Sequence, residues 1–112
     1  IRPVQVKGKY SQSGKKDNPV YGYVGKLTKM HPDMVLAIAY YSLRNPKDPI
    51  FVAYNPLSGI KRHSRGFRCQ PAKYVNEEPV KRPGFARFFD DEGLRLIETL
   101  DWGQIEVNDD GA

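Results

Sequence analysis

The chain has 112 residues, with 18 Lys plus Arg against 13 Asp plus Glu, for a net charge of +5. Five Phe, seven Tyr and one Trp supply a modest core and exclude a fully disordered chain. No apolar run approaches the length of a transmembrane helix, and a single cysteine excludes an internal disulfide framework.

Length and pattern predict one domain over residues 1–107, closed by a polar acidic tail at 108–112. Val4 and Val6 alternate with polar neighbours and predict a short first strand. Residues 11–19 are turn formers and charges without periodicity, which predicts an exposed loop. Val20, Gly22 and Val24 alternate with Tyr21 and Tyr23 as a second strand does. Met34 to Tyr41 is an unbroken apolar run, and Ile50 to Tyr54 is a shorter one. The prolines and Asp between them are loop chemistry, so the pair reads as two antiparallel strands rather than a helix and a strand.

Asn55 to Gly59 reads as a turn, and Ile60 to Cys69 as one returning strand. Pro71, Pro79 and Pro83 make the next stretch irregular, with one short element at Ala72 to Val75. Lys81 to Phe89 reads as a loop anchored to the core by Phe88 or Phe89. A helix is predicted over Asp91 to Asp101, with Asp90 as its cap and Phe89 and Leu94 as a hydrophobic staple. Leu94, Ile97 and Leu100 would form its apolar stripe, and Gly103 would end it. Gln104 to Val107 reads as a last short strand. The expected class is α+β: a small, antiparallel, strongly bent sheet or partly open β-barrel, with one C-terminal helix.

The charge is unevenly spread. Residues 1–30 carry seven cations and one acid, and residues 61–87 carry eight cations and two acids. The centre is neutral, and residues 88–112 carry one cation and eight acids. Two basic blocks around an apolar centre point to a polyanion partner, with an acidic segment able to compete for the same surface.

The densest block is Lys61, Arg62, His63, Arg65 and Arg68, with Phe67 among them. Guanidinium forks hold phosphates, lysines act as point charges, and rings stack on bases, which is what single-stranded nucleic acid requires. His63 adds a group that titrates near neutrality. On a single strand, Lys61, His63, Arg65 and Phe67 would share a face. Lys7, Lys9, Lys15, Lys16 and Lys26 would extend the track, and Tyr21 and Tyr23 would add stacking rings. Arg65-Gly66-Phe67 and Gly84-Phe85-Ala86 approach the RNA-recognition pattern of a basic residue, Gly, an aromatic, a small residue and an aromatic, but neither completes it.

The expected function is therefore nucleic-acid binding, single-stranded DNA or RNA favoured. The alternative is a protein-interaction module or inhibitor acting on a basic partner through the acidic C-terminal helix. Asp91, Glu98, Asp101 and Trp102 would form that interface, unless Trp102 is a lid on the core. No paired metal-ligand spacing, nucleophile–base pattern, P-loop or dinucleotide fingerprint is present, so no enzyme, metal or cofactor is expected. One free cysteine fits a reducing, intracellular compartment, cytoplasmic or nuclear.

Overall fold

The computed structural model describes residues 2–10, 22–25, 31–56, 60–63 and 66–107. The apolar run at its centre forms β3 (Val35–Tyr40), which is buried on both faces. A buried strand must have both backbone edges paired, and β3 does. On one side lies β1 (Val4–Lys9), parallel and in register from Val4 against Val35 to Lys9 against Tyr40. On the other lies β4 (Phe51–Asn55), antiparallel, from Leu36 against Asn55 to Tyr40 against Phe51. The expected antiparallel pair joined by the 44–49 loop is thus present.

A second sheet contains β2 (Gly22–Gly25), β5 (Lys61–His63) and β6 (Gly66–Cys69), in the order β2-β6-β5. The single strand expected over Ile60 to Cys69 is instead a hairpin, with β5 antiparallel to β6. A third ladder pairs β7 (Ala72–Val75) with β8 (Glu78–Lys81). β7 matches the expected element. The sequence reading missed β8 because of Pro79. Asn76 and Glu77 both take positive φ, as a two-residue hairpin turn requires. Val75 and Glu78 then flank the turn as the hydrogen-bonded pair, so Pro79, opposite Tyr74, owes no ladder bond.

The architecture is α+β, but it differs from one antiparallel sheet. β1 runs parallel to β3, and the described strands form three ladders that do not close into a barrel. A parallel pair needs a long crossover, and the stretch between β1 and β3 supplies one.

The acidic segment also departs from expectation. The helix α1 is Asp90–Ile97, and it stops when the Glu98 N–H bonds back to Arg95 and Leu96. Asp90 does not cap it. Its Oδ1 accepts from the Val52 N–H at 3.0 Å, and its Oδ2 lies 3.6 Å from Lys81 Nζ. Asp90 sits at φ 52°, where Asp is among the more tolerant residues, and these two contacts strap the helix to the outer edge of β4. With the helix ended at Ile97, Leu100 falls out of its period and is fully exposed, and Leu94 is partly exposed. Gly93 instead takes the buried position. A Cβ there would sit 2.2 Å from the Phe88 carbonyl oxygen, so no side chain fits. Residues 104–107 form no strand. A 3-10 turn, Trp102–Gln104, ends at the first of them.

The core gathers Leu36, Ile38, Tyr40, Ala53, Tyr74, Phe85, Phe88, Phe89 and Trp102. Phe85 and Phe88 come from a 3-10 turn, Pro83–Phe88, so the basic–aromatic loop anchors through three rings. Trp102 is fully buried, and its Nε1–H donates to the Met34 carbonyl at 3.2 Å. Gly103 does not end a helix. Its Cβ position lies 2.0 Å from the Pro32 carbonyl oxygen, which seats this turn against the start of β3.

Trp102→Ala should cost about 3–5 kcal/mol, the range for a buried large aromatic. Urea unfolding monitored by circular dichroism measures it, and a loss below about 1 kcal/mol would place Trp102 outside the core.

Candidate nucleic-acid interface

The hairpin brings the expected cations and rings into cross-strand register. Tyr23 on β2 lies opposite Arg68 on β6, and Arg68 lies opposite Lys61 on β5. In the next row Gly25, Phe67 and Arg62 align, and His63 pairs with Gly66. The face shared by Lys61, His63, Arg65 and Phe67 on one strand is therefore replaced by a two-strand arrangement. Lys61 and Phe67 fall in different rows, while Arg62 and Phe67 share one. A bulge in β2 between Tyr23 and Gly25 shifts its register against β6. Lys15, Lys16, Tyr21, Lys26 and Arg65 lie outside the described residues.

Lys7 and Lys9 lie on β1, which touches β2 without pairing with it. Both are half-buried, on the same side of the sheet as Leu36, Ile38 and Tyr40. Burial holds the Lys9 ammonium below the usual lysine range, and the Lys7 charge pushes the same way. Among the described residues Lys9 has no ion pair.

Three other cations of the second basic block serve the fold. Lys81 pairs with Asp90 and sits over the rings of Phe51 and Phe89 at 5.4 and 5.0 Å. Arg82 donates to the Gln70 carbonyl at 2.7 Å and lies over Phe85. Arg87 donates to the Glu106 carbonyl and covers Phe88. These are intramolecular struts, each joining a cation to a ring it partly shields.

The sequence reading missed one aromatic pair. Tyr10 stacks on Tyr41 with centroids 4.6 Å apart and planes at 12°. Tyr41, the last residue of the central apolar run, is partly exposed. It sits one residue beyond β3, where the chain leaves the sheet. The available signal was the position of Tyr10 directly after Lys7-Gly8-Lys9. The pair occupies the opposite side of β1 from the two lysines.

Tyr74 fixes this end of the sheet. Its hydroxyl accepts from the Tyr41 N–H at 3.2 Å, and its one proton faces the carbonyls of Lys9 at 2.7 Å and Tyr41 at 2.8 Å. Burial raises its phenol to about 12. Tyr40, buried deeper, shifts the same way.

On the acidic side, Asp91, Glu98 and Asp101 are exposed, but Trp102 is inside the core and offers no surface to a partner. Among the described residues no three His, Cys, Asp or Glu side chains are grouped to hold a metal ion, and no helix is long and apolar enough to cross a membrane. Scans against protein-family models, curated proteins and solved structures return no match to this chain.

Tyr74→Phe should lower stability by about 1–2 kcal/mol, since it removes the hydroxyl that donates to the Lys9 and Tyr41 carbonyls. The loss should depend on pH. Below the ordinary tyrosine value of 10.0 both states keep the proton, and the native advantage is complete. As pH rises from there through about 12, the unfolded chain ionises first and the advantage fades. Denaturant titrations at pH 8 to 12 should therefore show the Phe variant losing less stability with pH than the parent.

Proposed function

We propose that the protein binds single-stranded nucleic acid, RNA or DNA, across the β2-β6-β5 sheet and the adjoining basic strand β1. The observation that carries this reading is the register row Tyr23–Arg68–Lys61, one ring and two cations across three strands. Residues in register across an antiparallel pair are close neighbours, which suits a backbone phosphate beside a stacked base. Lys61, Arg62, Arg65 and Arg68 would neutralise phosphates, with His63 beside them. Tyr23 and Phe67 would stack, and Tyr21 would extend the platform. Lys7 and Lys9, with Lys15, Lys16 and Lys26, would continue the track. The depressed Lys9 supports this role, because a nearby phosphate relieves the cost of its charge. The reading assigns no chemical step to the protein and places it in a reducing compartment, where the Cys69 thiol stays reduced.

A second reading draws on the helix. Leu94 and the fully exposed Leu100 stand among Asp91, Glu98 and Asp101, a surface suited to a basic protein with an apolar patch. The two readings separate at purification. Ultraviolet-absorbing material that high salt removes favours nucleic acid, whereas a clean absorbance ratio with a stoichiometric protein favours the helix.

The decisive measurement is fluorescence anisotropy with labelled single-stranded RNA, single-stranded DNA and duplex at several salt concentrations. Replacing Arg62, Arg65 and Arg68 together by Ala should reduce the log–log salt slope by about 2, at roughly 0.7 per phosphate contact on a single strand. A folded triple variant with an unchanged slope removes these residues from the site.

A further inference from the structure

We infer that the exposed edge of β1 is a self-association surface, at which two copies of this chain pair antiparallel about a two-fold axis at Val6. The Val35 N–H donates to the Pro3 carbonyl and the Tyr41 N–H to the Lys9 carbonyl, so the odd-numbered residues of this strand face β3. The N–H and C=O groups of Val4, Val6 and Gly8 therefore point away from the sheet. They make no hydrogen bond among the described residues. Val4 and Val6 are 60% and 68% exposed, so this edge is both unpaired and apolar. Such a strand is a template for another strand.

Charge and shape select a second copy in one register. Hydrogen-bonded pairs must join outward-facing residues, which leaves only a few alignments. Centred on Lys7, the two strands would set Lys7 against Lys7. Centred on Gly8, they would set Lys7 against Lys9. Like charges directly opposite are destabilising. Centring on Gln5 shortens the overlap and sets Pro3 against Lys7. Centred on Val6, the strands pair Val6 with Val6, Val4 with Gly8 and Gln5 with Lys7, and no lysine opposes another.

The same register is complementary in shape. The missing side chain at Gly8 leaves open the rings of Tyr41 and Tyr10, 3.6 and 3.9 Å from where its Cβ would be. Val4 of the other copy would fill that position against the two rings, as an aromatic covers a cross-strand glycine. The product is a closed, isologous dimer with a continuous six-stranded sheet made from two three-stranded ones.

Sedimentation equilibrium on the full chain, freed of nucleic acid by high salt, tests this between about 10 μM and about 1 mM, the range of a weak interface. The mass should rise towards two chains with concentration. Val6→Lys places two ammonium groups at the axis and should raise the dissociation constant at least about tenfold, with an unchanged circular-dichroism melt. Val6→Cys should give a covalent dimer with a mild oxidant, because the two sulfurs meet at the axis, whereas Val4→Cys, facing Gly8, should not. Cys69 is buried and does not confuse the result. A one-chain mass throughout, a dimer indifferent to Val6→Lys, or equal cross-linking at both cysteines would overturn the proposal. None of these outcomes bears on the nucleic-acid reading, whose salt slope is measured separately.

Discussion

The rest of the structure depends on the double burial of β3. Its side chains are apolar on both faces, so the strand is stable only where both faces are covered and both backbone edges are paired. β1 and β4 meet the edge requirement. The C-terminal turn contributes to covering the start of the strand, with Trp102 bonded to the Met34 carbonyl. Phe89 bridges to Ala53 on β4, and α1 begins there. The acidic helix is therefore part of how the central strand leaves water.

That arrangement sorts the cations. Lys81, Arg82 and Arg87 lie where the chain wraps the outer edge of the core, and each covers a ring while reaching a carbonyl or carboxylate. Long basic side chains do this well because their stems are apolar and their heads remain wet. Sequence counting placed these residues in the same basic block as Lys61 and Arg68. Structurally the block has two parts: a strut region at 81–87 and a hairpin whose register aligns cations with rings. On β1, Lys7 and Lys9 run their stems along the core side, and Lys9 carries a charge that burial disfavours.

Several features were legible in the residues. The strands at Val35–Tyr40, Phe51–Asn55 and Ala72–Val75 follow from β-branched and aromatic content bounded by Pro and Asn. The anchoring of the basic–aromatic loop by Phe88 and Phe89 was also legible, though Phe85 is buried with them. The hairpin at β5 and β6 was not, since alternation alone does not mark where a strand folds back. Nor was β8, because a proline argues against a strand unless its position in the ladder is known. The helix boundary was misplaced by following Leu100, an apolar residue at the right spacing beyond the last helical turn.

Local chemistry, then, determined the class, the central strands and the location of positive charge, because β-branching, proline and charge act at their own positions. Tertiary structure decided which face of β1 is exposed, that Lys81, Arg82 and Arg87 lie over rings of the core, and that Trp102 is core rather than interface. Each of those depends on what lies across the sheet. Alternation shows that Val4 and Val6 share a face, but only the neighbour on the far side determines whether that face is dry.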